Sequence, residues 1–379
     1  MKQRVLLLST VHPATDPRIF YKIAPSLAVE YEVFCALPHA GRGANSSLTA
    51  ISLPRFERLL TRLLFCHPVM LWKCLRLKPD LVHIFVPELI PAAFLFQWMG
   101  AKVIYEVQEN LFKKFAIKKF NKALIYRKLF KYFDRIARRQ FHLIFTEKAY
   151  LDEYRHLNHP YAIIQNFVSL PFIDLIQENE EANPTRPEFF YAGVISGERC
   201  FDVLILALVK LKERYFNFHV HLFGPVRIAS EKLSTLSGYA QVSKHLTFYG
   251  YQDQKVALRY ARRCMAGIAL LKPVADYPDS FTTKLFEYMA LGIPVITSDF
   301  PLYKQVVEHS ECGFCISPYD DNMLYEKLVW VIENREAASE MGLNGRKSAE
   351  KNYNWTSEKS SLLSFYRISL HSIKAKSMQ

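Results

Sequence analysis

The sequence predicts an α/β protein with two Rossmann-like domains, each a doubly wound parallel sheet, that face each other across a cleft. The chain has 379 residues, more than one core of ordinary size fills, and 50% of them are hydrophobic. Short β-branched or aromatic runs alternate with longer amphipathic segments, as expected for parallel strands that helices cover on both faces. This alternation stops near residue 170 and starts again near residue 189, so the same architecture is expected twice.

Each half of the chain contains six apolar runs that predict strands. The strands expected in the first half are 5–10, 32–37, 80–85, 102–107, 143–147 and 162–166. The strands expected in the second half are 189–194, 219–224, 246–250, 266–271, 294–298 and 313–317. Ligands of such sheets bind outside the carboxyl ends of the strands, so the residues that follow these runs are the candidates for chemistry.

The strand series also predicts the domain boundaries. We expect an N-terminal domain over 1–170, a linker over 171–188, a C-terminal domain over 189–352 and a final helical segment over 353–379. The linker contains the acidic stretch "ENEEANPTRP" and shows no sustained helical period.

Composition excludes several classes of protein. No apolar run approaches the roughly 20 residues of a membrane span, and the opening "MKQRVLLLSTVHP" is too short in its apolar part for a signal peptide. The seven cysteines, an odd number, favour free thiols in a cytosolic protein. Cys312 and Cys315 have the spacing of a redox motif, but "FCISP" predicts a strand, which favours a structural role. No Cys/His cluster has zinc spacing.

The net charge of +13 lies entirely in the first half of the chain. Residues 1–170 contain 25 Lys/Arg and 12 Asp/Glu, whereas residues 171–379 contain 24 of each. Residues 113–139 carry eleven basic residues and one acid among aromatic side chains, and residues 55–78 form a second basic and apolar stretch. This pattern predicts contact with an anionic membrane surface; the alternative is ordinary amphipathic helices with solvated lysines. Nucleic acid is not the expected partner, because stacking and glycine-rich motifs are missing from the sequence.

The stretch "DYPDSFTTKLFEYMALGIPVITSD" (276–299) carries the most specific chemistry. Asp279 is expected on a loop after a strand, Lys284 in the first turn of a helix and Glu287 one turn further on. Ser280, Thr282 and Thr283 offer hydroxyls that can cap this helix. Free N–H groups at a helix start hold anionic oxygens, and carboxylates accept hydrogen bonds from hydroxyls, so the stretch suits a sugar attached to a phosphate.

These residues resemble the retaining glycosyltransferases of family 4, which have the GT-B fold, and in particular bacterial members that build polysaccharides. The signature Glu-x7-Glu becomes Asp279-x7-Glu287 here, followed by "YMALGIPVITSD". In order along the chain, "HPATDPRIFYKIAPSLA", "PDLVHIF", "KVIYEVQEN", "IIQNF", "YAGVISGERCFDVLILAL" and "LTFYGYQDQKVALRYARR" resemble further family motifs. The final segment resembles the helix that crosses back to the first domain.

The resemblance implies transfer of a sugar from a nucleotide-diphosphate donor that the C-terminal domain holds. Glu287 would bind the ribose hydroxyls, Asp279 with the backbone of Phe281 and Thr282 the sugar, and Arg199 the diphosphate. The implied donor-binding residues are Gly193, Arg199, Tyr251, Asp279, Ser280, Phe281, Thr282, Lys284 and Glu287. The implied catalytic residues are Asp279, Glu287, Arg199 and Gln108.

The resemblance also implies an oligosaccharide or lipid-linked glycan as acceptor, for synthesis of a cell-surface polysaccharide at the inner face of the cell membrane. His12, Asp16, Arg18, Glu88 and Gln108 are the expected acceptor-binding residues. No cofactor and no metal are expected, because the chain lacks the Asp-x-Asp pair that a divalent cation on a diphosphate uses.

Departures from the family pattern leave alternatives open. Gln108 stands where members often have His, Val194 where many have Arg, and Cys200 replaces a usual glycine. The alternatives are a catalytically silent nucleotide-sugar-binding relative and a nucleotide-sugar epimerase. Locally, Asp16 could be a helix cap alone, and Lys284 could form a salt bridge with Glu287.

Overall fold

The chain folds into two compact units, each containing one parallel sheet. The structure is a computed structural model that describes residues 2–41, 48–110, 112–113, 123–154, 157–177 and 186–371, except the side chains of 123, 124, 126 and 177. Unit 1 comprises Met1–Asn166 and Trp355–Gln379, and unit 2 comprises Phe167–Asn354. The expected α/β class with two parallel sheets is confirmed.

Unit 1 contains seven parallel strands. They are β1 (Arg4–Leu8), β2 (Glu32–Pro38), β3 (Leu48–Leu53), β4 (Leu81–Ile84), β5 (Lys102–Val107), β6 (His142–Phe145) and β7 (Tyr161–Ile163). Their order is β3-β2-β1-β4-β5-β6-β7, so the strand order reverses between β1 and β4. Ligands of doubly wound sheets bind beside such a reversal, at the carboxyl ends of the strands.

Strand β3 was not among the strands expected from the sequence. It lies at the edge of the sheet and pairs only with β2. Its sequence "LTAISL" is mostly half-exposed, so it lacks the continuous apolar run that marks the central strands. An edge strand with this exposure has no pattern in the sequence that distinguishes it from a loop.

Helices cover both faces of the sheet of unit 1. They are α1 (Ala24–Leu27), α2 (Leu59–Thr61), α3 (His67–Leu75), α4 (Ile90–Trp98) and α5 (Ala123–Gln140). Wider helical turns over Ile19–Ile23 and Arg62–Cys66 lead into α1 and α3. One apolar core packs α3, α4 and α5 against one face of the sheet, and a second core packs α1 against the other face.

Unit 2 contains six parallel strands. They are β8 (Glu188–Ala192), β9 (His219–Phe223), β10 (Leu246–Gly250), β11 (Ala266–Ala269), β12 (Val295–Ser298) and β13 (Gly313–Ile316). Their order is β10-β9-β8-β11-β12-β13, so the reversal falls between β8 and β11. The loops after these two strands are the expected position of a ligand site.

Nine helices among the described residues surround this second sheet. They are α6 (Leu170–Gln177), α7 (Phe201–Arg214), α8 (Ser230–Ser234), α9 (Tyr239–Val242), α10 (Gln254–Arg262), α11 (Thr283–Leu291), α12 (Pro301–Val307), α13 (Asp321–Glu333) and α14 (Arg335–Asn352). None of the helices in the described part of the chain is both long enough and apolar enough to cross a membrane.

Helix α6 corrects the expectation that the segment 171–188 has no helical period. The sequence "LPFIDLIQ" buries Ile173 and Ile176, three residues apart, against unit 2. The acidic residues that favoured a linker come after this helix, and 178–185 lie outside the described residues.

The last helix, α15 (Trp355–His371), belongs to unit 1. The Trp355 indole N–H donates a hydrogen bond to the Ser26 hydroxyl over 2.9 Å. The Tyr366 hydroxyl lies 2.6 Å from Nδ1 of the buried His83, and Glu358 accepts a hydrogen bond from the backbone N–H of Gln165. These polar contacts hold the last helix on unit 1, although the helix follows unit 2 in the sequence.

Acid should destabilise both units, because burial lowers the pKa of His142 in unit 1 and of His219 in unit 2 from 6.5 to about 4. Stability present above pH 6.5 is lost as the pH falls, since the unfolded chain takes up protons that the folded one does not. At pH 5 each histidine should contribute about 2 kcal/mol less than at pH 7. Thermal melting at both pH values tests this, and His219→Gln should show the smaller pH dependence.

Candidate active site

The first predicted donor segment follows β8 in unit 2. The chain leaves β8 at Gly193, makes a short helical turn over Gly197–Arg199, and enters α7 at Phe201. Cys200, at the start of α7, has a left-handed backbone with φ of 57°, and its side chain makes no capping hydrogen bond. A positive φ explains why a glycine is usual at this position.

Gly193 and Gly224 allow the backbones of neighbouring strand ends to approach closely. Gly193 has φ of +136°, and a Cβ there would lie 2.6 Å from Nη1 of Arg199. Gly224, after β9, has φ of +134°, and its Cβ would lie 2.0 Å from the carbonyl oxygen of Gly193. The guanidinium of Arg199 therefore rests directly over a backbone that only glycine permits.

The second predicted donor segment is the turn Tyr277–Asp279 after β11. The backbone N–H of Asp279 and the hydroxyl of Ser280 both donate hydrogen bonds to the carbonyl oxygen of Asp276, over 3.0 and 2.9 Å. Tyr303 donates its hydroxyl proton to the carbonyl oxygen of Ser280 over 3.0 Å. This turn is therefore fixed on both sides, with Asp279 half-buried at its end.

Helix α11 begins without a side-chain cap. Thr282 occupies the N-cap position, but its hydroxyl accepts no backbone N–H, and the Ser280 hydroxyl is used by Asp276. The expectation that these hydroxyls cap the helix was wrong. Phe281 packs its ring against Phe286, with ring centroids 5.1 Å apart, so its side chain holds the turn.

Glu287 lies on the buried face of α11 and is 8% exposed. Its Oε1 accepts a hydrogen bond from Nε2 of Gln254, the first residue of α10, over 2.8 Å. Lys284 donates to the hydroxyl of Thr283 over 3.2 Å and forms no ion pair with Glu287 within the described residues. The salt-bridge alternative for Lys284 is therefore not what the structure shows.

The two donor segments lie side by side. The guanidinium carbon of Arg199 lies 5.9 Å from the centre of the Tyr277 ring. The backbone N–H of Lys272, in the loop after β11, donates to the carbonyl oxygen of Glu198 over 2.9 Å. The structure thus brings Arg199 next to the turn that carries Asp279. Tyr251 follows β10 at the same edge of the sheet and is 63% exposed.

Glu88 lies beside the strand reversal of unit 1 and is already paired. Arg62 donates to both of its carboxylate oxygens, over 2.7 and 2.8 Å at the closest, and the hydroxyl of Thr10 donates to Oε1. Burial would raise the pKa of Glu88, but the nearby His67 and the hydrogen bonds from Arg62 and Thr10 outweigh it and lower the pKa to about 2. The carboxylate is ionised at neutral pH.

Arg18 is buried, in contrast to a residue that touches an acceptor directly. Its Nε and Nη2 donate to the two oxygens of Glu106, over 2.7 and 3.1 Å, and its nitrogens also donate to the carbonyl oxygens of Gln165 and Ile164. Both side chains of the ion pair are at most 4% exposed. These contacts give Arg18 a structural task, and the prediction that it contacts an acceptor stays untested.

Gln108 belongs to the same network. Its Nε2 donates to Oε1 of Glu106 over 2.7 Å, and His83 Nε2 lies 3.5 Å from the other oxygen. Burial would raise the pKa of Glu106, but the charge of Arg18 outweighs it, so the pKa lies well below its usual range. An ionised Glu106 therefore fixes the amide group of Gln108.

Asp16 and His12 hold the first loop of unit 1. The carboxylate of Asp16 accepts hydrogen bonds from the backbone N–H groups of Arg18 and Ile19, over 3.0 and 2.9 Å, which is the capping role left open by the sequence. His12 Nδ1 lies 2.8 Å from the hydroxyl of Ser9. Both residues lie in the loop that follows β1.

One cluster among the described residues has metal-ligand chemistry. Glu188, His221 and Cys264 place their ligand atoms within 4.8 Å of one another. Arg263 and Arg186 each lie 3.3 Å from an oxygen of Glu188, so cationic groups already neutralise this carboxylate. The cluster lies near the amino ends of β8 and β11, away from the donor segments.

All seven cysteines are free, as expected. Cys312 is buried next to β13, and Cys315 lies within that strand. Burial raises the pKa of both thiols to about 12, which removes the thiolate that a redox motif needs. The structural interpretation of this pair is therefore supported.

Residues 172–348 match the model of the family described as Glycosyl transferases group 1. The match covers most of unit 2 and includes both donor segments and Glu287. Spore coat protein SA of Bacillus subtilis (strain 168) is 30% identical over 82 residues, which make up 21% of this chain and 22% of that protein. The aligned region thus spans less than a quarter of that relative.

Solved structures resemble the chain over nearly its whole length. Sucrose-phosphate synthase from Thermosynechococcus elongatus has a TM-score of 0.71 at 17% identity and covers 97% of this chain and 98% of its own. HepE of Anabaena in complex with UDP-glucose has a TM-score of 0.69 at 13% identity, over 97% and 100%. WaaG, a glycosyltransferase involved in lipopolysaccharide biosynthesis, has a TM-score of 0.70 at 16% identity, over 95% and 98%.

At these identities the structural likeness shows the fold, which is that of GT-B glycosyltransferases. The family match over residues 172–348 adds a sequence likeness to group 1 glycosyl transferases within unit 2. No role was predicted for Gln254 from the sequence, although it lies within the motif "LTFYGYQDQKVALRYARR".

We expect Gly193→Ala to destabilise unit 2 by about 1–3 kcal/mol, because its Cβ meets Arg199 and its φ suits glycine alone. Denaturant unfolding of both purified proteins measures this loss. Gly197→Ala is the matched control in the same loop, since nothing lies within 4 Å of its Cβ position. Equal free energies of unfolding for the two variants would contradict this account.

Gln254→Leu should destabilise unit 2 by roughly 1.5 kcal/mol in denaturant unfolding, because the buried carboxylate of Glu287 loses this hydrogen bond. Gln252→Leu is the control, since Gln252 is exposed and donates only to the carbonyl oxygen of Tyr249. In a Glu287→Gln background the loss of Gln254 should have little further effect. Additive losses would show that Gln254 does not act through Glu287.

Proposed function

We propose that the protein is a retaining glycosyltransferase that moves a sugar from a nucleotide-diphosphate donor to a lipid-linked glycan acceptor. Unit 2 binds the donor, and unit 1 binds the acceptor. The product belongs to a cell-surface polysaccharide, and the protein works in the cytoplasm, peripheral to the inner face of the cell membrane. The solved structures of similar fold include complexes with UDP-glucose and a lipopolysaccharide enzyme, which supports a nucleotide-sugar donor and a glycan product.

One observation carries the proposal: Arg199, the uncapped start of α11 and the buried Glu287 lie along one edge of one sheet. That edge follows β8 and β11, where the strand order reverses. An arginine beside an uncapped helix start suits a diphosphate, because guanidinium and backbone N–H groups both donate to phosphate oxygens. A carboxylate one helical turn away suits the ribose hydroxyls.

The donor bond breaks with negative charge collecting on the diphosphate. Arg199, Lys284 and the N–H groups at the starts of α7 and α11 supply positive charge to this leaving group. We propose that these groups do so without a metal ion. Retention of configuration follows the family resemblance: the acceptor hydroxyl attacks on the face that the diphosphate leaves, and a phosphate oxygen accepts its proton.

The acceptor meets the loops after β1, β4 and β5 in unit 1. The ionised carboxylate of Glu88 and the amide of Gln108 are polar groups that suit sugar hydroxyls. Asp16 and Arg18 support these loops, the first as a helix cap and the second as the partner of Glu106. We expect His12, in the loop after β1, to contact the acceptor as well.

Glu287→Gln should reduce donor turnover at least about 100-fold, because the ribose loses charge-assisted hydrogen bonds of roughly 1.5–3 kcal/mol each. Release of nucleoside diphosphate from a panel of nucleotide sugars, with excess EDTA present, measures this turnover. Glu336→Gln, an exposed carboxylate at the start of α14, is the control and should retain full activity.

Three outcomes would count against the proposal. Unchanged turnover in Glu287→Gln would remove Glu287 from the donor site. Tight nucleotide-sugar binding with no turnover in the wild type would indicate the silent relative, and inversion of a sugar centre without acceptor would indicate an epimerase. Activity abolished by EDTA and restored by a divalent cation would refute the metal-free mechanism.

A further inference from the structure

A short helical segment of unit 1 exposes an unusual amount of apolar surface. Leu60, Leu64 and Phe65 are 58%, 65% and 57% exposed, and Leu63 between them is 37% exposed. Cys66, immediately after them, is fully buried against the sheet. Four large apolar side chains within six residues therefore face away from the core, a pattern that marks an interaction surface in a folded protein.

The local backbone explains how adjacent residues share the outer surface. Residues Arg62–Cys66 form a wider helical turn between α2 and α3, so more than the usual 3.6 residues fill one turn. Only Cys66 of this turn reaches the core. The ring of Phe65 contacts the ring of Phe56, with centroids 5.7 Å apart, which holds it against the loop after β3.

Basic side chains border this apolar turn. Arg55 and Arg58, just before it, are exposed, and Arg76 stacks over the exposed ring of Trp72 on α3. Exposed Glu57 lies 3.6 Å from Arg55 and offsets its charge, so the net positive charge comes from Arg58 before the turn and Arg76 at the end of α3. This combination complements an anionic lipid surface, where the charges meet phosphate groups and the apolar side chains enter the acyl boundary.

Helix α5 presents a second surface of the same kind. Ile125, Leu129 and Tyr132 are 74%, 50% and 59% exposed, and their spacing of four and three residues places them on one face. Lys128 and Arg135 are exposed on the same helix. The basic stretch predicted over 113–139 also includes 114–122, which lie outside the described residues.

Both surfaces lie at the end of unit 1 that carries the acceptor loops. Helices α3 and α5 pack against the same face of the sheet, with α4 in the same core. The turn Leu60–Phe65 follows the carboxyl end of β3, and Arg62 within it holds Glu88. Helix α5 runs back toward the start of β6, so its first turns also lie at the carboxyl edge.

We propose that the turn Leu60–Phe65 and the outer face of Ile125, Leu129 and Tyr132 form one membrane-docking surface that inserts into an anionic bilayer. This inference rests on the proposed lipid-linked acceptor, which the surface would bring to Glu88 and its neighbours. Arg62 connects the docking surface with the acceptor loops, since it lies within the inserting turn and binds the carboxylate of Glu88.

Co-sedimentation with vesicles tests the proposal on the full-length protein. Wild type should bind phosphatidylglycerol/phosphatidylcholine vesicles and bind pure phosphatidylcholine vesicles much more weakly. The double variant Leu64→Glu/Phe65→Glu should lose at least about 30-fold in affinity, because two apolar side chains no longer enter the bilayer. Phe216→Glu is the matched control: Phe216 is 85% exposed on unit 2 and should not affect binding.

A second variant, Leu129→Glu/Tyr132→Glu, tests the α5 part separately, and melting curves confirm that each variant folds. Equal vesicle binding by wild type and both double variants would overturn the proposal, as would equal loss in Phe216→Glu. A dimer that the double variants dissociate, with no vesicle binding by wild type, would assign the surface to a second copy instead. Donor hydrolysis by wild type in vesicle-free buffer tests the proposed enzymatic function independently.

Discussion

Parallel strands buried on both faces impose the constraint from which the rest of each unit follows. The hydrogen-bond ladders use the backbone polar groups of the strands, and helices cover their side chains on both sides. Most of the accessible polar side chains that suit a ligand therefore lie in the loops that leave the strand ends. In unit 2 these loops carry Arg199 and Asp279, and in unit 1 they carry Glu88 and Gln108.

The buried ion pair of Arg18 and Glu106 shows how unit 1 accommodates charged side chains in its interior. A charge without a partner would be strongly destabilising at such a position, so the guanidinium is satisfied by the carboxylate and by two backbone carbonyl groups. The same carboxylate fixes Gln108, and the neighbouring His83 contacts Tyr366 of α15. A polar network thus connects the final helix to the loop after β5.

Unit 2 must bring cationic side chains and backbone N–H groups close together and still leave them accessible to a ligand. Gly193 and Gly224 let the strand ends approach closely, and the guanidinium of Arg199 lies against the backbone of Gly193. Cys200 accepts a left-handed conformation that glycine would adopt at lower cost, roughly 1 kcal/mol less. The strain lies at the start of α7, where an anion would benefit from the helix N-terminus.

The sequence by itself determined the α/β class, the central strands and the positions of Asp279, Lys284, Glu287 and Arg199, because apolar runs and short motifs are local signals. The edge strand β3 and helix α6 were not predicted, because half-exposed or short elements lack a strong periodic pattern of apolar residues. Only the tertiary structure paired Arg18 with Glu106, Glu88 with Arg62 and Glu287 with Gln254. Those partners lie 88, 26 and 33 residues apart. Their contacts depend on how the strands are ordered in the sheets, and spacing along the chain does not encode that order.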